Sequence, residues 1–168
     1  MASIIKVNTI QDATNSTTAM TIDSSGRITT PTRPSFLAHG ANLTSSNSTG
    51  YLPYPNITTT RGGHNIGSHY NTSTYVFTAP FDGVYVFSFS LYAYTTNSVD
   101  IYGAINNDTS RLTAGFQVNA GSNDDNYPTV SGSVTIQLSA SETFGFYNNG
   151  GTYHTNTSGS YFCGHLLG

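Results

Sequence analysis

Charge is what this sequence has least of. Only 8% of its 168 residues are Asp, Glu, Lys or Arg, whereas roughly a quarter of a typical soluble domain is charged. The net charge is -3, and the five cationic residues include a single lysine, Lys6. So few cations cannot form the basic patch that nucleic-acid binding requires. We therefore expect no nucleic-acid partner.

Two other absences exclude further classes. There is one cysteine, Cys163, so no internal disulfide can form. No apolar run approaches the length of a membrane span, and residues 1–6 have no signal-peptide pattern. We therefore expect synthesis in a cytosol and no membrane insertion.

The residues that are abundant favour β structure. The chain holds 12 Tyr and 9 Phe and is rich in Thr, Val and Asn, whereas the strong helix formers are scarce. The hydrophobic fraction of 36% is low, but it suffices for a core at this length. The composition therefore predicts an all-β protein.

The longest regular pattern spans residues 74–94 and predicts strand, turn, strand. Pro80 should end the first strand, and Asp82-Gly83 should supply a turn with positive φ. From Val84 onward the side chains alternate. The face predicted to enter the core contains Tyr85, Phe87, Phe89, Leu91 and Ala93. The opposite face is mixed, which suits a surface partly covered by another subunit, and it contains Val84, Val86, Ser88, Ser90, Tyr92 and Tyr94.

Residues 1–34 differ from the rest of the chain. Their apolar residues are too few for an independent core, so the segment is either disordered or buries its isoleucines against partner chains. The closing residues 30–34 contain two prolines and predict an extended linker. We therefore divide the sequence into an N-terminal attachment arm, 1–34, and one domain, 35–168.

Residues 35–168 contain eight to ten short strand patterns separated by turns, which fits a sandwich or jelly roll. The clearest is the half-buried alternation of residues 130–138, onto which 143–147 is expected to pair back. Residues 57–60 predict a short strand, whereas 61–70 and 148–158 predict loops.

At residues 77–87 the sequence resembles a known family. Phe77-Thr78-Ala79-Pro80 followed by Gly83-Val84-Tyr85-Val86-Phe87 is similar to the signature of the globular head of the complement first-component q subcomponent. Residues 131–138 and 161–167 resemble that family's Ser-Gly strand and closing strand, and the similarity covers roughly 35–168. The resemblance implies a jelly-roll β-sandwich of about ten antiparallel strands, here preceded by an extended N-terminal arm, and assembly as a homotrimer. The trimer-interface candidates are then Val84, Val86, Tyr92 and Tyr94.

The arm carries a second resemblance. Ile5–Asp12 is similar to the start of tail-fibre and other virion appendage proteins of tailed phages, especially marine ones. Together the two resemblances imply a virion protein that is assembled in the host cytoplasm. The candidates for docking on other virion proteins are Ile4, Ile5, Val7 and Ile10.

No catalytic motif is present: the sequence has no nucleophile elbow, no His-Glu-x-x-His and no phosphate loop. We therefore expect no enzyme and no cofactor. A hydrolase acting on surface glycan would have to use Asp124 or Asp125, which no motif supports. His39 and His154 are expected to be solvated and His165 packed, and Cys163 is expected to be a buried, inert thiol.

Loops remain as the places for recognition, since Tyr gives rigid contact area without charge. The ligand candidates, for a host cell-surface glycan or protein, are Tyr51, Tyr54, Asp124, Asp125, Asn126, Tyr127 and Tyr153. The alternative is that these polar residues only provide solubility. Asp124 and Asp125 also form a weak calcium candidate, for which a hydrated turn is the simpler interpretation.

Two functional hypotheses follow. The first is a non-enzymatic phage structural protein, either a trimeric fibre head or a capsid or tail decoration, exposed for host attachment. The second is a bacterial surface or spore adhesin-type binding module.

Overall fold

The computed structural model describes residues 6–93, 99–108, 117–120 and 128–168. The chain divides into two compact units, Met1–Arg33 and Pro34–Gly168. Within the described residues it forms sixteen strands, one short 3-10 turn (Thr59–Arg61) and no α-helix. The predicted all-β class is confirmed. No helix in this part of the chain is long and apolar enough to cross a membrane.

The first unit is a small antiparallel sheet of β1 (Thr9–Gln11), β2 (Thr18–Ile22) and β3 (Ile28–Thr29). The side chain of one aspartate stabilises each of its two turns. Asp12 Oδ1 accepts hydrogen bonds from the backbone N–H groups of Thr14 and Asn15. Asp23 accepts from the N–H of Ser25 and from the guanidinium of Arg27, and these bonds, those from Arg27 foremost, lower the pKa of its carboxyl. The sequence does not predict these strands, because two to five residues are too few to show a period.

The second unit consists of two antiparallel sheets. The front sheet contains β4 (Ser35–His39), β5 (Leu43–Ser46), β7 (His64–Ile66), β10 (Gly83–Ala93), β13 (Thr129–Leu138), β15 (Tyr153–Thr155) and β16 (Tyr161–Leu166). Its order is β5-β15-β10-β16-β4-β7. β15 and β16 pair with successive parts of one edge of β10, and β13 pairs with the opposite edge. The back sheet contains β6 (Gly50–Tyr51), β8 (Tyr70–Asn71), β9 (Val76–Thr78), β11 (Val99–Ile105), β12 (Gln117–Ala120) and β14 (Thr143–Gly150). Its order is β12-β11-β14-β9-β8, and β6 pairs with β14.

The core lies between the two sheets, and β10 is the central strand of the front one. The five side chains predicted to enter the core from β10 are fully buried, so that prediction is confirmed. Phe87 stacks on Phe144 of the back sheet with ring centroids 4.3 Å apart, and Phe89 lies 4.4 Å from Phe146. Phe162 adds an edge contact to Phe146 at 5.1 Å. Aromatic packing therefore joins the two sheets.

Two predicted hairpins are wrong. β9 does not pair with β10 but with β14 of the back sheet, and β14 pairs with β9 and β11, not with β13. Residues 79–82 and 139–142 are thus crossings between sheets. They lie side by side, since the N–H of Ala79 donates to Glu142 O and the N–H of Ala140 donates to Asp82. Alternation predicts which side chains enter the core, but it does not predict which sheet a strand joins.

Gly83 also differs from its predicted role. It is extended in β10, and its φ is not positive. A Cβ at this position would lie 2.7 Å from a methyl group of Leu166. Close packing, not turn geometry, therefore requires glycine here.

Short elements account for the remaining differences from the predicted strands. The strand predicted at 57–60 is replaced by the 3-10 turn Thr59–Arg61, and the predicted loops 61–70 and 148–158 contain β7, the start of β8 and β15. These three strands are only two or three residues long. Such lengths leave no periodic signal in the sequence.

Candidate interaction surface

The outer face of the front sheet is a continuous surface made by register. Val86 lies opposite Thr135 of β13 and His165 of β16. One row along, Ser88 lies opposite Ser133 and Cys163. Directly paired residues point to the same side of an antiparallel sheet. We call this surface the outer front face and define it by Ser35, Leu37, His64, Ile66, Val84, Val86, Ser88, Tyr92, Thr129, Ser131, Ser133, Thr135, Gln137, Tyr161, Cys163 and His165.

None of these sixteen residues is Asp, Glu, Lys or Arg. The surface is half-buried along β4 and β10 and at Tyr161 and Cys163 of β16, and it is exposed along β7 and β13 and at His165. Two of its hydroxyl groups are paired within the sheet, since Ser88 Oγ and Ser133 Oγ lie 2.9 Å apart and Ser133 Oγ donates to Phe87 O at 3.1 Å. A partner covering this face therefore has no carboxylate, ammonium or guanidinium group to desolvate.

A shallow cavity of about 330 Å³ opens on this face between β4, β7 and β16. Leu37, His64, Cys163 and His165 line it. Burial raises the pKa of the Cys163 thiol, and a backbone hydrogen bond at Ser88 opposes this only in part. The thiol is therefore protonated near neutral pH, and it suits packing better than nucleophilic chemistry.

The structure brings together three of the four trimer-interface candidates. Val84, Val86 and Tyr92 all lie on the outer front face and are half-buried. The ring of Tyr92 meets that of His154 edge-on at 5.9 Å. Tyr94 lies outside the described residues. The role of all four in a trimer stays a prediction.

Two ligand candidates are wrong because they are core residues. Tyr54 is 0% exposed and Tyr153 is 3% exposed. The Tyr54 hydroxyl donates to Ser90 O at 3.1 Å. Burial raises the pKa of both phenols, that of Tyr54 well above its usual range. The prolines on either side of Tyr54 suggest a surface loop in the sequence, and Tyr153 lies in β15, a strand too short to be predicted.

Tyr51 is half-buried on the outer face of the back sheet, against the edge of Tyr147 at 5.5 Å. Its ring covers Gly145, where a Cβ would lie 2.7 Å from Tyr51 Cδ1. Burial raises the pKa of its phenol. The remaining ligand candidates, which include the weak calcium site, lie outside the described residues: Asp124, Asp125, Asn126 and Tyr127. Elsewhere in the described chain, no three His, Cys, Asp or Glu side chains are placed to hold a metal ion.

Two histidine predictions are wrong. His39, expected to be solvated, is buried at the end of β4, where its backbone pairs with Asn56. His165, expected to be packed, is exposed. The exposure of His165 follows from register, because it lies opposite Val86 on the outward side of β16. The burial of His39 does not, since its register partner is Tyr161 of the outer front face.

Comparison with known families gives the fold a name. The model of the C1q domain matches residues 41–167. This chain belongs to the C1q domain family. No curated protein matches the sequence significantly.

Solved structures agree with the C1q assignment at the level of fold. The globular domain of zebrafish complement 1qA is 14% identical, covers 81% of this chain and 98% of its own, and gives a TM-score of 0.59. Eiger TNF from S. frugiperda is 14% identical with coverages of 81% and 94% and a TM-score of 0.57. Murine APRIL is 10% identical with coverages of 80% and 99% and a TM-score of 0.56.

C1q and TNF-like domains are typically binding modules that lack enzymatic activity, and they often form trimers. In this C1q domain the outer front face is a surface without Asp, Glu, Lys or Arg. Sequence reasoning found its β10 residues and missed Leu37, Cys163 and Thr135. The polar alternation of β13 was a usable signal for Thr135, whereas β4 and β16 are too mixed to reveal an outward side.

Proposed function

We propose that the chain is a non-enzymatic structural protein of a phage virion. Three copies join through the outer front face to form a fibre head or a capsid or tail decoration. The observation that carries this proposal is the uncharged outer front face, with Val84, Val86 and Leu37 near its middle.

The chemistry of the face supports association over plain solvation. Burying apolar area contributes about 25 cal/mol per Å², whereas each unpaired charge in an interface costs several kcal/mol. The outer front face has apolar side chains to bury, and it has no Asp, Glu, Lys or Arg whose charge would be left unpaired. The exposed side chains near the two ends of β13, Thr129 and Gln137, provide a neutral rim.

In this proposal residues 1–34 dock the protein on the particle. The similarity of Ile5–Asp12 to the start of phage appendage proteins supports this role. Val7 is 41% exposed, so its side chain is available to the particle. Ile10 is 47% exposed and is available to the particle or to another copy of this chain. Ile4 and Ile5, the other two docking candidates, lie outside the described residues.

The head would face the host cell and bind a surface glycan or protein. Tyr51 is the one ligand candidate that the described residues leave partly accessible. Together with Tyr147 it forms a small aromatic surface on the back sheet. Aromatic rings without nearby charge suit neutral partners.

Two measurements test the proposal. Light scattering at micromolar concentration should give three times the 17.9 kDa chain mass, and a monomer would contradict it. Mass spectrometry of purified particles should find the protein at a fixed copy number per virion. Its absence from particles, with recovery from bacterial or spore surfaces, would favour an adhesin-type binding module instead.

A further inference from the structure

We propose that the small N-terminal sheet is a second self-association surface, through which copies of this chain pack on one another. Pairing places Ile10 opposite Met20, and Ile22 opposite Ile28. Met20 and Ile22 are two residues apart on β2, so all four side chains share one side of the sheet. We call this side the isoleucine face.

The other side of the same sheet is polar. Thr9, Thr21 and Thr29 lie in one row across the three strands, and the hydroxyl groups of Thr21 and Thr29 are hydrogen-bonded. On the isoleucine face, Ile10 is 47% and Ile28 61% exposed. A sheet with one apolar side needs a second layer to bury it, and the first unit is itself a single layer.

The chemistry of the isoleucine face fits an identical partner. None of the unit's charged side chains lies in its three strands: Asp12, Asp23 and Arg27 lie in the turns, and Lys6 and Arg33 lie before β1 and after β3. Asp23 and Arg27 are paired with each other at 2.6 Å. When this face meets a copy of itself, no like charges come together. A charged partner would find nothing complementary on it.

The small size of the isoleucine face favours copies of this chain over an independent partner. A stable interface uses roughly 20–30 residues on each side, and this face has four large apolar side chains. Such a contact is too small to hold a partner that is free in solution. It becomes effective when a short linker keeps the units together, at effective concentrations of roughly millimolar. Residues 30–34 are such a linker, and the argument rests on the trimeric head proposed above.

The test uses the full chain with one spin label in each first unit. Ser24, exposed in the turn between β2 and β3, is changed to cysteine and labelled in a Cys163→Ser background. Pulsed electron double resonance then measures distances between copies, and light scattering measures the mass of the same sample. We expect a trimer mass and a narrow distance distribution. Ile10→Glu should broaden that distribution and leave the mass trimeric, whereas Thr9→Glu, its neighbour on the polar side, should leave both unchanged.

Ile28→Thr keeps a β-branched residue and should also broaden the distribution, so the result does not depend on one disruptive substitution. A monomer mass for the chain without any substitution would overturn the proposed function and this inference together. A trimer mass with a broad distance distribution in the labelled protein that retains Ile10 and Ile28 would overturn this inference alone. Narrow distances that survive Ile10→Glu and Ile28→Thr would do the same. Distances that become narrow only after purified particles are added would assign the face to another virion protein.

Discussion

A carboxylate placed in the middle of the outer front face should separate the assembled heads. Val86→Asp puts the charge beside His165 and Thr135 at the middle of the front sheet. Thr135→Asp puts it on the adjacent strand, where the side chain is exposed in the single chain. The second variant matters because an exposed position tolerates the substitution without loss of the fold.

The expected effect follows from desolvation. An unpaired charge taken into an interface costs several kcal/mol after relaxation, and a second carboxylate at about 4 Å adds roughly 1 to 4 kcal/mol of repulsion, depending on the local dielectric. At about 3 kcal/mol for each copy, association weakens by more than a hundredfold per copy. That loss should convert a trimer at micromolar concentration into monomers.

The assay is light scattering across a concentration series, with circular dichroism to verify the fold. Thr78→Asp is the matched control, since Thr78 is an exposed threonine on the back sheet, and it should remain trimeric. Val86→Thr keeps the shape of the side chain and adds no charge, so this variant should also remain trimeric. If both aspartate variants stay trimeric at low micromolar concentration while folded, the outer front face is not the interface.

Three further predictions concern the head itself. Gly164→Ala should lower the free energy of unfolding by about 1–3 kcal/mol, because a Cβ there overlaps two core phenylalanine rings; Gly150→Ala, where nothing lies nearby, should change the melting temperature little. The Cys163 thiol should react with Ellman's reagent more slowly than free cysteine at pH 8, since burial raises its pKa. The thiol should react faster in monomeric variants than in the trimer, and equal rates would contradict its position in the interface. Burial also raises the pKa of Tyr54 and Tyr70, so their contribution to stability should be constant below about pH 10 and fall above it, as the unfolded chain gives up these protons first. Absorbance at 295 nm should show that part of the tyrosine signal ionises only together with unfolding, and complete ionisation of the tyrosines before unfolding would contradict it.

The sequence predicts the fold class and the core side of the long strands. On β10 and β13 the period of two extends over ten or more residues, so inward and outward positions are unambiguous. The family signature at residues 77–87 adds the jelly roll. These features are local, and each can be read within one strand.

What the sequence does not predict depends on contacts between distant residues. The assignment of β9 to the back sheet depends on pairing with Phe144, about seventy residues later. The burial of Tyr54 depends on a hydrogen bond to Ser90. The outer front face likewise combines strands from both ends of the unit, so Leu37 and Cys163 are neighbours only after folding.

The two self-association surfaces should not be equivalent. The outer front face spans five strands, whereas the isoleucine face has four apolar side chains on three short strands. If the larger contact holds the trimer, it alone supplies the effective concentration that the smaller one needs. Val86→Asp should therefore separate both the heads and the N-terminal sheets, whereas Ile10→Glu should release only the sheets. The same spin-labelled protein measures both effects, and loss of trimer mass in Ile10→Glu would reverse the order of dependence.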